Sequence, residues 1–348
     1  MIRLESLGVH LPDRVVSTRE ITDSLGAGNE IPLAELTGIK ERRYASEEQS
    51  SVDLAILAAQ SCLTNSSYQP GDLDVVIFTG ISTYTKSILQ QPIRPSHQIF
   101  PSLSFSILER IGATNADNFD ICNACAGMST GIKTLTMMIN TGVCKNGMVV
   151  SGELISYVTE AALKVVKGTD DPEFSSLTLG DSGAAVILDK GPLKDQTTIE
   201  QTRLEIFPEY ADLCVAKSTD QGTHMHTDSS RLYKAGIKHS YDVLKKLSLR
   251  NIKHYIPHQI SVMAVKIGYK YSNRHELMDH YMPYQRFSKS VQHYGNTATT
   301  SHWLALADLL RQGELSSGDR VLFMIQASGL IVGGFVVKIG KEAPQWVL

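Results

Sequence analysis

The chain has 348 residues, 42% of them hydrophobic and 20% charged, which suits a globular protein of two domains or one two-part fold. A net charge of −3 without basic or acidic blocks argues against nucleic-acid binding and against a charged tail. No apolar run is long enough to span a membrane, no signal-peptide pattern opens the chain, and five cysteines at irregular spacing fit reduced thiols in a cytoplasmic protein.

Arg3 to His10 reads as a first strand, and Ser17 or Thr18 as the cap of a helix starting near Arg19. Ser51 to Cys62 reads as an Ala-rich amphipathic helix. Asp74 to Gly80 and Gly147 to Glu153 are short continuous apolar runs, the pattern of strands buried on both faces. The stretch Tyr84 to Phe100, with Pro92 and Pro95 inside it, reads as an insertion or a remodelled loop. Thr178 to Leu188 reads as a strand whose small residues let backbones pass closely. Gly191 to Thr198 is mostly polar and reads as a hinge between halves. Further helices are expected over Ser229–Leu247, Val262–Tyr271 and Thr299–Gln312. Strands are expected over His254–His258, Arg320–Ala327 and Gly334–Ile339, the last two as an antiparallel pair around Ser328-Gly329. Alternating strands and helices predict an α/β fold.

Three stretches carry candidate chemistry. Phe119 to Gly131 passes from a strand end through the small residues Ala124, Cys125, Ala126 and Gly127 into a helical pattern. A thiol there sits at a helix N-terminus, where free N–H groups and the helix dipole favour the thiolate. Alone, Cys125 fits a buried packing cysteine equally well. Cys122 and Cys125 form a C-x-x-C that a redox pair would also use, but no second pair or suitably spaced His completes a metal site. Ile256-Pro257-His258-Gln259 ends an apolar run, and Asn296 follows Gly295 in a turn before a helix. Cys, His and Asn, each at a strand or loop end, suit acyl-thioester chemistry. His224, His226, His293 and His302 read as surface or packing residues.

Asn123-Ala124-Cys125-Ala126-Gly127, Pro257-His258-Gln259 and Tyr294 to Ser301 resemble, in order and spacing, the three active-site motifs of the β-ketoacyl-ACP synthase III group of the thiolase superfamily. The resemblance runs from Leu4 to Ile339. It implies a thiolase-like α/β fold of two βαβαβ halves in five αβαβα layers. Residues 1–190 would carry the Cys and residues 200–348 the His and Asn, in a homodimer. It implies Cys125, His258 and Asn296 as catalytic residues, with the backbone amides of Cys125 and Ser328 as oxyanion donors; the family usually has Gly at the second position. Phe100 and Met128 would line the acyl pocket. No metal or resident cofactor is implied, since phosphopantetheine arrives on the substrate as acyl-CoA or on an acyl carrier protein.

Pro32 and Leu36 stand where many CoA-using members hold a Trp and an Arg, and Phe174 where some hold another Arg. Ile99-Phe100-Pro101 supplies no Glu of the kind used by relatives that join two acyl chains or make hydroxymethylglutaryl-CoA. Lys234, Lys266, Lys270 and Arg274 form a candidate patch for an acidic carrier protein, or simply a soluble face. The expected activity is a decarboxylative Claisen condensation in a specialised, secondary-metabolite or fatty-acid-derived pathway. The alternatives are a same-fold acyltransferase forming an ester or amide, and a non-catalytic partner subunit of a heterodimer.

Overall fold

The computed structural model describes residues 1–26, 31–82 and 101–347. The N-terminal half begins with strands β1 (Ile2–His10) and β2 (Arg14–Ser17) and helices α1 (Thr18–Asp23) and α2 (Leu33–Thr37). It continues through β3 (Glu41–Tyr44), α3 (Ser51–Thr64), β4 (Val75–Thr79), α4 (Leu103–Ile111), β5 (Asp117–Ile121), α5 (Gly127–Thr141), β6 (Asn146–Glu153), α6 (Ser156–Ala162) and β7 (Ser182–Asp189). Beyond the connection after Asp189 come β8 (Thr198–Ile206), β9 (Cys214–Thr219), β10 (Gly222–Thr227), α7 (Ser229–Leu244) and β11 (Ile252–Pro257). The chain closes with α8 (Val262–Arg274), α9 (Val291–Tyr294), α10 (Ser301–Arg311), β12 (Arg320–Ala327) and β13 (Ile331–Lys338).

The main sheet has the order β11-β12-β13-β8-β1-β7-β6-β4-β5. Its two parts repeat one pairing scheme. β1 pairs antiparallel with β7, β7 antiparallel with β6, and β6 parallel with β4. Likewise β8 pairs antiparallel with β13, β13 antiparallel with β12, and β12 parallel with β11. β1 and β8 meet over only two residue positions, Ile2 with Ile199 and Arg3 with Thr198.

Strand alternation explains the layers. On β4, Val75 and Ile77 face a central core while Val76 and Phe78 face an outer one. On β12, Val321, Phe323 and Ile325 face the central core, and Leu322 and Met324 face away from it. The central core is filled by α5 (Ile132, Leu135, Ile139) and α10 (Trp303, Leu306, Leu310). α3 and α4 cover the outer face of the first part, and α8 with the end of α7 covers that of the second. Helix, sheet, helix, sheet, helix is the five-layer α/β arrangement expected.

Local chemistry sets the element ends. Ser17 caps α1 in a reciprocal capping box with Glu20, and Ser50 does the same for α3 with Asp53. Several bounds differ from expectation. Thr178 ends a 3-10 turn and β7 starts only at Ser182; residues 298–300 form a 3-10 turn before α10; α7 stops at Leu244, and α8 runs on to Arg274. The hairpin β9–β10 has no counterpart in the expectations. Phe100, and the stretch 84–100 read as an insertion, lie outside the described residues. Among the described residues no helix is long and apolar enough to cross a membrane, and no group of three or more His, Cys, Asp or Glu could hold a metal ion.

Candidate active site

Cys125 sits in the tight passage from β5 to α5. Ala124 adopts φ 45, a left-handed conformation that a β-carbon disfavours, so the chain is held there by its surroundings. Ala126 N–H donates to Asn123 O at 3.1 Å and Gly127 N–H to Ala124 O at 3.0 Å, closing the turn. The Asn123 amide donates to Thr130 Oγ1 at 2.8 Å and pins the turn to the first helical residues.

Cys125 is half-buried, whereas Cys122 is exposed; both are free thiols. The apolar neighbours of Cys125 are Ile155, Val158, Leu179 and Ala298, with Tyr157 and Met225 partly buried beside them. Burial pushes the Cys125 thiol well above its usual range, and the nearby Cys214 and Glu153 add to this; the backbone amides of Cys125 and of Ser328 pull the other way. The helix N-terminus was expected to ease ionisation. Desolvation outweighs it, because the thiol is enclosed by chain from β10 and residue 298 as well as by α5.

Asn296 is placed by backbone-to-backbone packing of two loops. Its N–H donates to Thr178 O at 2.8 Å, and Gly180 N–H donates to Asn296 O at 3.1 Å. Gly295 takes φ +67, and a β-carbon there would meet Thr178 O at 2.7 Å; at Gly180 it would meet Tyr294 O at 2.2 Å. Only glycine permits this approach. Asn296 Oδ1 accepts from Ala298 N–H at 3.1 Å, which orients its NH₂ away from that turn. Ala298 is also a neighbour of Cys125, so the segment from Asn296 reaches the thiol.

His258 follows the end of β11 and retains 8% exposure. Its Nδ1 lies 3.1 Å from Ser301 Oγ at the start of α10, and its ring stacks on His302 with centroids 5.6 Å apart. Burial, reinforced by His302, pushes His258 down to about 3, so it is neutral at pH 7. Asn296 thus opens the segment 296–302, Cys125 packs against the cluster that holds its Ala298, and His258 meets its Ser301 and His302. Met128 is fully buried in the central core with Ala126 and Ile132, a core against which Cys125 also packs. Lys266, Lys270 and Arg274 are exposed along one face of α8, and Lys234 is exposed on α7; Tyr233 OH links the two helices by donating to Ala264 O at 3.2 Å. Leu36 is 40% exposed on α2, beside α8.

The sequence reading missed Met225 on β10, which packs against the same apolar cluster as Cys125, and the proximity of His302 to His258. It also missed Glu153. This carboxyl is fully buried, accepts from Thr299 Oγ1 at 2.6 Å and from the N–H groups of Ile81 and Ser82, and is raised by burial to about 7. A Glu closing an otherwise apolar strand was its one visible signal.

Two family models match the chain: 3-oxoacyl-[acyl-carrier-protein] synthase III over residues 119–205, and the C-terminal region of the same enzyme over residues 244–339. Together they span more than half of its length. A β-ketoacyl-[acyl-carrier-protein] synthase III of Listeria welshimeri is 26% identical over 343 residues, covering 96% of this chain and 98% of its own. The crystal structure of 3-oxoacyl-[acyl-carrier-protein] synthase III from Aquifex aeolicus superposes with a TM-score of 0.80 at 22% identity, over 97% of this chain and 100% of that one. Xanthomonas campestris OleA superposes with a TM-score of 0.81 at 20% identity, over 97% and 96%. The chain belongs to the 3-oxoacyl-[acyl-carrier-protein] synthase III group of the thiolase superfamily, and is an acyl-transferring condensing enzyme.

Proposed function

We propose that Cys125 takes an acyl group from an acyl thioester, and that His258 and Asn296 then drive its decarboxylative condensation with a malonyl-type thioester. The observation that carries this reading is that Cys125, set by its own amide and that of Ser328, packs against the cluster holding Ala298, while Asn296 opens that segment and the neutral His258 imidazole meets its Ser301.

The Cys125 sulfur attacks the thioester carbonyl, and the departing thiol leaves with the proton. The amides of Cys125 and Ser328 hold the tetrahedral oxyanion; such donors are worth roughly 3–4 kcal/mol each. In the second half, the bond from the malonyl α-carbon to its carboxylate breaks and CO₂ departs. The electron pair becomes an enolate, whose oxygen accepts hydrogen bonds from His258 Nε2–H and the Asn296 NH₂. The enolate carbon attacks the acyl-Cys125 carbonyl, the same amides hold the oxyanion, and its collapse gives the β-ketoacyl thioester and expels Cys125 as a thiolate, which takes a proton from solvent. A neutral imidazole suits this work, because it donates a hydrogen bond without protonating the enolate carbon. No resident cofactor enters the scheme.

An acyl carrier protein or acyl-CoA delivers the substrates. Exposed Leu36 in place of a cationic or aromatic clamp, beside the Lys266, Lys270 and Arg274 face, supports carrier-protein delivery in a specialised pathway. The chain works as a homodimer, each copy made of two halves, residues 1–190 and 200–348. In support, β5 is an edge strand of the sheet, flanked by α4 and α5, on which Phe105 (57%) and Met137 (52%) are exposed.

The test is intact mass after incubation with acyl-CoA and acyl-carrier-protein donors, beside Cys125→Ala. A mass gain lost in the variant, then discharged with CO₂ release by malonyl-carrier protein, is expected. Discharge only by alcohols or amines would replace condensation by ester or amide formation. Failure of every donor to load would point to a subunit that does not itself catalyse.

A further inference from the structure

His258 lies at the end of a pile of flat rings. Its ring stacks on His302 (centroids 5.6 Å, planes 19° apart), His302 on Phe323 (6.1 Å, 28°), and Phe323 on Phe335 (4.5 Å, 20°). The pile runs from the site into the central core, where Phe323 and Phe335 are fully buried. His302 is 2% exposed, and its Nε2 lies 2.8 Å from the carbonyl oxygen of Met324. A carbonyl only accepts, so the proton of His302 sits on Nε2. This bond to β12 fixes the His302 ring, and a fixed ring beneath His258 restricts rotation of the ring above it.

Ser301 fixes what the stack cannot, the position of the His258 proton. Its hydroxyl is 1% exposed and 3.1 Å from His258 Nδ1. Two arrangements satisfy that distance. If Nδ1 carried the proton, the hydroxyl would accept, and its own proton would need another acceptor. Among the described residues Ser301 Oγ has no hydrogen-bond partner but His258. If the hydroxyl donates, Nδ1 is the acceptor and both groups are paired. The single proton of a neutral His258 then lies on Nε2.

We propose that Ser301 and His302 are positioning residues: Ser301 sets the proton of His258 on Nε2, and His302 holds the ring plane that aims it. The proposal deepens the condensation reading and rests on it for its consequence, since the enolate oxygen needs the Nε2–H donor. Both are buried, so they act through His258. His302 also faces His258 as the one titratable group acting on it among the described residues.

The first test reads the resting protein. With ¹⁵N-histidine labelling, the two ring nitrogens of His258, assigned by their loss in His258→Gln, should show Nε2 protonated and Nδ1 as the bare acceptor at pH 7. A proton on Nδ1 overturns the assignment. In Ser301→Ala the two nitrogen shifts should move toward each other as the tautomers mix; unchanged shifts overturn the role of Ser301. The second test separates the half-reactions. Ser301→Ala and His302→Ala should each slow malonyl decarboxylation about tenfold relative to acyl loading of Cys125. His302→Phe, which retains a flat ring, should recover most of the loss. Equal slowing of both half-reactions, or failure of Phe to rescue, overturns the role of His302. If Cys125 loads from no donor, it is the condensation reading that fails, and the nitrogen shifts still judge Ser301.

Discussion

Substituting Gly180 by Ala tests how the loop carrying Asn296 is held. A β-carbon at residue 180 would lie 2.2 Å from Tyr294 O and 3.1 Å from the Arg42 β-carbon. An ordinary carbon–oxygen contact is about 3.3 Å, so the loops must part by about 1 Å. Overpacking of this kind costs about 1–3 kcal/mol. The bonds Asn296 N–H to Thr178 O and Gly180 N–H to Asn296 O stretch with it, each worth about 1 kcal/mol. A total near 3 kcal/mol, over an unfolding entropy of about 0.7 kcal/mol per degree for 348 residues, lowers Tm by about 4 °C. A displacement of 1 Å at a positioning group costs condensation about 100-fold. Acyl loading does not call on Asn296 and should change less than about threefold. Calorimetry gives the first number, and intact mass with and without malonyl-carrier protein gives the others. Unchanged Tm, or equal losses in loading and condensation, would refute the claim that loop contact places Asn296.

Glu153 ties stability to pH. Burial raises its carboxyl to about 7 in the folded chain, whereas an unfolded Glu titrates near about 4.3. The stabilising contribution is therefore complete below the unfolded value and is lost as pH rises through about 7, a swing of up to about 4 kcal/mol. Glu153→Gln does not titrate, so its Tm relative to the parent should rise between pH 5 and pH 8; a constant difference would mean the carboxyl is ionised throughout. Charge reversal at Lys266 and Lys270 should weaken carrier-protein affinity about tenfold at low salt and less at high salt, and unchanged affinity removes that face as a docking surface. Thiol alkylation at pH 7 should label exposed Cys122 before Cys125, and Cys62, fully buried and pushed up to about 12, only on unfolding. Peptide mass spectrometry orders the sites; Cys125 reacting first would show a thiolate at rest.

The strands were legible where one physical pattern dominated. Val75 to Thr79 and Asn146 to Glu153 are buried on both faces, and so short a continuous apolar run has few places to go except between two covering layers. The hairpin β9–β10 left no such trace. β9 is exposed over nearly its whole length, so neither alternation nor an apolar run marks it. Its partner β10 is held from outside, by Thr227 N–H on Pro172 O and by His224 Nδ1 at 2.9 Å from Glu173. Those contacts cross about fifty residues of chain and have no local signature.

At the site, the loop and strand ends that carry Cys125, His258 and Asn296 were legible and their electrostatic setting was not. Small residues before α5, and Gly180 and Gly295 around Asn296, record in sequence that backbones must approach closely. Desolvation leaves no such record, because it depends on which distant segments close over a group. The helix N-terminus at Cys125 is local and visible; Met225, Leu179 and Ala298 are not, and they decide the sign. The same holds for His258, neutral because it is buried, with His302 of α10 reinforcing this. The result is a resting pair, thiol and imidazole, without formal charge. In the proposed reaction charge then arises only as the reaction proceeds, on oxygens that the proposed donors meet in place, so little reorganisation is left for the transition state. A site charged at rest would have to give up an existing ion pair first, and the buried thiol of Cys125 argues that this one does not.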